Sequence, residues 1–128
     1  MLPLAARLQR TTHLLLAHLA VDDLTAAEVN ALACFAGDRA VTVSELARRA
    51  GTRRSTFTGV LDRLEQRGLV ERRPHPDDRR SLLATLTADG RSVQRRVARA
   101  FARLEREIPA ADAEAFDRVL GALEEATQ

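Results

Sequence analysis

The chain contains no lysine, tryptophan or tyrosine, a single cysteine and only four aromatic residues, all phenylalanine. Each scarcity excludes something. One thiol, Cys34, cannot form an intrachain disulfide framework, and it fits a reducing cytoplasm. With so few aromatics the core must be built from Leu, Val and Ala, a composition that favours helices packed through aliphatic ridges. No apolar run approaches the ~20 residues needed to span a bilayer, so no membrane partner is expected. The first residues, MLPLAARLQR, lack a basic segment followed by an apolar stretch and a cleavage site, and no signal peptide is expected. At 128 residues, 45% apolar and 30% charged, the chain suits one globular domain, 1–128.

Charge is present but unevenly placed. The formal net charge is only +2, yet residues 39–80 hold 11 arginines against six acids, while the remainder holds nine against 12. A basic middle between acidic ends is the distribution that a localised phosphate-binding face produces.

Helix signals follow one another along the chain. Pro3 suits a first helical turn, and Leu4, Leu8, Leu15 and Leu19 recur at helical spacing through Ala20. Thr25-Ala26-Ala27-Glu28 is a capping box opening a helix that carries Val29, Leu32, Ala33 and Ala36 and stops at Gly37. Thr42 or Ser44 caps the next helix, with Leu46 and Ala47 inward and Gly51 at its end. Thr52 caps a longer helix to about Arg67, with Gly68 as its stop. Leu69-Val70 and residues 81–86 have strand character, and Pro74-His75-Pro76-Asp77-Asp78 between them forms a hairpin loop. From Thr87 a long helix carries Val93, Val97, Phe101 and Leu104. Pro109 interrupts it and starts a last helix lined by Ala113, Phe116, Leu120 and Leu123.

The middle segment carries the chemistry. On the helix from Thr52 to Arg67, Phe57, Val60, Leu61 and Leu64 form one apolar stripe. The opposite side presents Ser55, Gly59 and Asp62, flanked by Thr56, Thr58 and Arg63. Arg53 and Arg54 sit in the first turn, where a helix N-terminus already favours phosphate. Small residues at 55 and 59 let the helix approach a groove closely, and Arg, Ser and Thr supply donors for bases and phosphates. Taken alone, a basic amphipathic helix is more often an ordinary surface helix. Here a capped helix and tight turn precede it, and an Arg-tipped loop follows. That loop runs Arg72-Arg73-Pro74-His75-Pro76-Asp77-Asp78-Arg79-Arg80; its prolines stiffen it, and Asp78, two residues before Arg80, is placed to orient the guanidinium.

Leu24-Thr25, Ser44-Glu45-Leu46-Ala47, Thr56-Phe57-Thr58, the run from Leu61-Asp62-Arg63-Leu64-Glu65 through Gly68-Leu69-Val70 to Arg72, Asp78-Arg79-Arg80, and Leu86-Thr87 with Gly90 together resemble the MarR family (multiple antibiotic resistance regulators). The resemblance implies a mainly α fold with a small antiparallel β-wing: a winged helix-turn-helix core over 24–87 with N- and C-terminal dimerisation helices over 1–20 and 88–128. It implies a homodimeric transcriptional regulator, a repressor or an activator of nearby genes, with double-stranded DNA as partner and relief by a small anionic or phenolic effector or by thiol oxidation. The two recognition helices of a dimer would enter major grooves about 10 base pairs apart on a pseudo-palindromic operator. The expected DNA-contacting residues are Arg53, Arg54, Ser55, Thr56, Thr58, Arg63, Arg72, Arg73, His75, Asp78, Arg79 and Arg80.

Other readings compete. The same fold can dock a partner protein, although an interaction helix would more often show apolar anchors. A thiol-redox sensor would need an exposed, electropositive cysteine, whereas Cys34 lies in the apolar stretch Ala31 to Ala36 and reads as a buried thiol. His13 and His18 suit the polar lining of an effector pocket or, more plainly, an exposed helix surface. The three histidines and Cys34 have no metal-ligand spacing, so no metal or cofactor is expected. Nor is an enzyme: the sequence has no Ser/His/Asp order, Gly-rich phosphate loop or HExxH pair.

Overall fold

A computed structural model describes residues 1–19 and 21–128. The elements in order are α1 (Leu4–His18), α2 (Ala26–Ala33), β1 (Val41–Thr42), α3 (Val43–Ala50), α4 (Arg54–Gln66), β2 (Val70–Pro74), β3 (Leu82–Leu86), α5 (Ala88–Glu105) and α6 (Ala110–Ala126). They fall into two compact units, Met1–Ala98 and Arg99–Gln128. The fold is mostly helical with a small antiparallel sheet, as the patterning implied. No helix among the described residues is long and apolar enough to cross a membrane.

Within the first unit, α2, α3 and α4 pack against one another and bury Leu32, Leu46, Phe57, Leu61 and Leu64. Val43 and Val70 join them from the start of α3 and from β2. The sheet has the order β1-β3-β2. β2 and β3 pair antiparallel from Val70 opposite Leu86 to Pro74 opposite Leu82, and Val41 and Thr42 add a short third strand opposite Ala84 and Leu83. That third strand was not expected. Two residues carry no readable alternation, and only pairing with β3 makes them a strand.

Local capping chemistry sets most boundaries. The Thr25 hydroxyl accepts the Glu28 N–H at 3.2 Å and donates to the Glu28 carboxylate at 2.9 Å. Thr42, not Ser44, caps α3 by accepting the Glu45 N–H. Gly51 takes the left-handed conformation (φ 68°) that lets its own N–H reach Arg48 O and the Thr52 N–H reach Ala47 O. Three expectations need correction. α2 ends at Ala33 rather than near Gly37, because Gln94 of α5 donates to Leu32 O and Phe35 O, and Arg49 donates to Cys34 O. Side chains distant in sequence thus satisfy the carbonyls that another helical turn would have used. The residue flanking the start of α4 is Arg53, not Thr52, and it makes no side-chain cap. α1 runs only to His18, while its expected last residue, Ala20, lies outside the described residues.

Neither α1 nor α6 buries a residue. α1 exposes Leu4, Leu14 and Leu15, and α6 exposes Phe116, Val119 and Leu123.

Candidate nucleic-acid interface

Apart from Arg39, which precedes β1, the arginines of the basic segment fall into two sets. One set is tied to acids. Arg48 and Arg49 share Glu45; Arg63 and Arg67 approach Glu28 at 3.8 and 3.5 Å; Arg72 reaches Glu65 at 2.6 Å and Asp62 at 2.5 Å. The other set, Arg53, Arg54, Arg73, Arg79 and Arg80, is exposed and makes no ion pair among the described residues. These five lie in two places, the N-terminus of α4 and the wing formed by β2, β3 and their loop.

α4 buries Phe57, Val60, Leu61 and Leu64 on one side and leaves Arg53, Arg54, Ser55 and Thr56 exposed at its start. Its first-turn N–H groups have no side-chain cap, so they and the helix dipole remain available to an anion. Thr58 is half-buried, and its hydroxyl donates to Arg54 O at 2.8 Å, which turns it back on its own helix. Arg63 is about half exposed and leans towards Glu28.

Arg72 and Arg73 point to opposite faces of β2. Arg72, paired with Ala84, has an 18% exposed side chain held between Asp62 and Glu65 of α4. It fixes the wing to α4 through Nε and Nη2, which carboxylates engage, and leaves Nη1. Arg73, paired with Leu83, is exposed. At the wing loop, Asp78 accepts the backbone N–H of Arg80 at 3.0 Å and the Ser81 hydroxyl at 2.9 Å. These bonds hold its carboxyl below the usual range. Asp78 therefore shapes the turn that presents Arg80 rather than gripping the guanidinium. The Nδ1 of His75 accepts the Asp77 N–H at 3.0 Å, so the neutral ring carries its proton on Nε2.

The sequence placed Glu28 only in the capping box, not in a tie between helices. It is 3% exposed yet carries a carboxylate, and through Arg63 and Arg67 it ties α2 to α4. Arg67 also donates to Asp22 O and Asp23 O, and Asp22 pairs with Arg96 of α5. Asp22 and Asp23 both have positive φ, 49° and 59°, a conformation that Asp tolerates better than most residues. The signal lay in the spacing, because Glu28 falls one turn before Leu32 on the same apolar stripe. Cys34 is half-buried; its thiol donates to Asn30 O, and burial pushes its pKa up against the pull of Arg49. No group of three or more His, Cys, Asp or Glu among the described residues could hold a metal ion.

Three stacked helices with an uncapped polar helix start, beside a β-hairpin tipped with arginine, define a winged helix-turn-helix protein. Residues 24–82 match the model of the MarR family. The chain is 39% identical over 57 residues to the HTH-type transcriptional repressor YetL of Bacillus subtilis, covering 44% of this chain and 34% of that protein. The chain spans between about a third and three fifths of the lengths of the curated relatives it matches. Among solved structures, the PcaV transcriptional regulator of Streptomyces coelicolor in complex with its natural ligand has a TM-score of 0.83 at 27% identity, covering 98% of this chain and 92% of that one. A cysteine-to-serine mutant of MarR from E. coli complexed with operator DNA has a TM-score of 0.71 at 26% identity, covering 90% and 86%. The match to the MarR family model thus lies on the helix-turn-helix and wing, while the likeness to solved transcriptional regulators extends over nearly the whole chain.

Proposed function

We propose that the chain is the protomer of a homodimeric DNA-binding transcriptional regulator, acting in the cytoplasm as a repressor on a pseudo-palindromic operator. One observation carries the reading: Arg53, Arg54, Arg73, Arg79 and Arg80 lie exposed on the start of α4 and on the wing and make no ion pair among the described residues. Free guanidinium groups at a helix start and on a hairpin supply the phosphate contacts and base-edge donors that a major-groove helix and a wing require. The Arg72 bridge supports it by holding the wing at a set angle to α4. Arg53, Arg54, Ser55 and Thr56 are the specificity candidates, with Thr58 and Arg63 at the edge of the surface; Arg73, His75, Arg79 and Arg80 are the wing contacts, and Asp78 supports them.

The apolar faces of α1 and α6 favour the dimer, since side chains such as Leu14, Leu15 and Phe116 remain exposed on a single copy. In this reading 24–87 forms the DNA-binding core, and 1–20 with 88–128 supplies the dimer helices. Release by a small anionic or phenolic effector completes the proposal, prompted by the ligand complex of PcaV. The test is fluorescence anisotropy with a duplex from the region upstream of the chain's own gene. Arg80→Ala is expected to weaken binding by about tenfold to about a hundredfold while far-UV circular dichroism and oligomeric state stay unchanged. Equal affinity for mutant and parent would remove the wing from the mechanism.

A further inference from the structure

Most of the glycines have a reason inside the molecule. Gly37, Gly51 and Gly68 take positive φ, and Gly90 leaves room for the Leu69 carbonyl. Gly59 and Gly121 have neither reason: both are helical, and nothing lies within 4 Å of a Cβ built on either. Gly121 belongs to α6, which the reading above gives to a second copy. Gly59 belongs to the middle of α4, where glycine disfavours the folded helix about fivefold relative to alanine.

Gly59 lies on the side of α4 opposite Phe57, Val60, Leu61 and Leu64, and is half-buried. Ser55 and Thr56 stand one turn before it, Asp62 and Arg63 one turn after. None of their side chains comes within 4 Å of where its Cβ would be. Asp62 is drawn to Arg72 on the wing, and Arg63 leans towards Glu28 on α2. Thr58, beside it, bonds Arg54 O. The result is a bare length of helix between polar side chains. In mid-helix the N–H and C=O bond along the helix, so the surface there is the Cα alone, without donor or acceptor. Such a surface suits an apolar group. Among the groups that the four base pairs present in the major groove, the apolar one is the C5-methyl of thymine.

We propose that Gly59 is a specificity-determining residue, with its bare Cα receiving the methyl group of one thymine in each operator half-site. The assignment rests on the proposed function: phosphate contacts from the arginines position α4, and Gly59 selects A·T at one base pair. A Cβ would extend about 1.5 Å from the Cα into the space that the methyl occupies. Alanine here would therefore hold the helix away from thymine, while nonspecific binding, which needs no close fit in the groove, is spared. Removing the methyl instead leaves the Cα facing a gap, a loss of about fourfold in affinity.

The test is fluorescence anisotropy at fixed salt on a duplex that the parent chain enriches from a randomised library, with each thymidine replaced in turn by deoxyuridine. Deoxyuridine pairs as thymidine does and lacks only the methyl. Parent binding is expected to weaken about fourfold at one such position of each half-site. Gly59→Ala is expected to bind the thymine duplex about tenfold more weakly than the parent does. At that same position it should bind the uracil duplex at least as tightly as the thymine one. Its affinity for a random duplex and its urea midpoint should not fall below the parent's, which excludes misfolding as the cause. Operator affinity equal to the parent's, a loss shared by random duplex, or an equal loss on thymine and uracil duplexes at every position would each overturn the proposal. So would a parent insensitive to every methyl, a result that leaves operator binding and the proposed function standing. A parent that enriches no sequence at all removes the proposed function, and the role of Gly59 with it.

Discussion

Replacing Gly90 by alanine pits local preference against packing, and the structure decides the sign. Gly90 lies in the first turn of α5, where alanine should gain up to about 1 kcal/mol of helix propensity. A Cβ built there would sit 1.9 Å from the Leu69 carbonyl oxygen and 2.9 Å from its carbon. The backbone of Leu69 would have to retreat by more than 1 Å to reach even the 3.0 Å that real contacts tolerate. It is not free to do so. Leu69 O accepts the Thr87 N–H at 3.0 Å, and the Thr87 hydroxyl bonds Gly68 O while accepting the Gly90 N–H. Overpacking of this kind costs about 1–3 kcal/mol, and a lost hydrogen bond about 1 more. The net expectation for Gly90→Ala is a loss of about 2 kcal/mol, or roughly 1 M in the urea midpoint for a chain of this size. Gly59→Ala is the control. It is also helical, but nothing lies within 4 Å of its added Cβ, so it should raise the midpoint. Both are unfolded at one fixed protein concentration, since the stability of the proposed dimer would depend on it. A Gly90→Ala protein as stable as its parent would refute the joint between wing and α5.

Three further expectations follow from the ion pairs and the thiol. Glu28→Gln keeps the shape of a buried side chain but removes its charge from Arg63 and Arg67. Because those arginines are about half and two-fifths exposed, the loss is discounted to about 1–2 kcal/mol; a urea midpoint within error of the parent would show the pairs to be inert. Glu45 has its folded pKa depressed from 4.5 to about 2, so its contribution is present above pH 4.5 and fades as pH falls towards 2. Stability of Glu45→Gln should therefore drop less than that of the parent across that interval, and parallel acid curves would contradict the assignment. Cys34, with its thiol pKa raised by burial, should react with iodoacetamide at pH 7 more slowly than free cysteine; an equal rate would reopen thiol sensing.

What could be read from the residues divides by distance along the chain. Thr25, Gly51 and Gly68 were legible because a cap or a left-handed stop is decided by residues three or four away. The apolar stripe of α4 was legible for the same reason, since Phe57, Val60, Leu61 and Leu64 repeat at the helical period. The early end of α2 was not, because Gln94, about sixty residues on, supplies its last donors. The bridge from Arg72 to Asp62 and Glu65 was not legible either, because those acids, ten and seven residues back, come beside it only when the wing folds onto α4. The role of Asp78 shifted from the Arg80 guanidinium to its backbone N–H, a choice that side-chain chemistry alone leaves open.

The most direct test of the central claim is the salt dependence of operator affinity. In the proposed dimer, the five arginines of α4 and the wing that make no ion pair among the described residues would put up to ten guanidinium groups on the DNA. With a slope of about −0.9 per phosphate contact, affinity should fall by about a thousandfold or more between about 50 and 200 mM salt. A nearly flat response would contradict the assignment of α4 and the wing to the phosphate backbone.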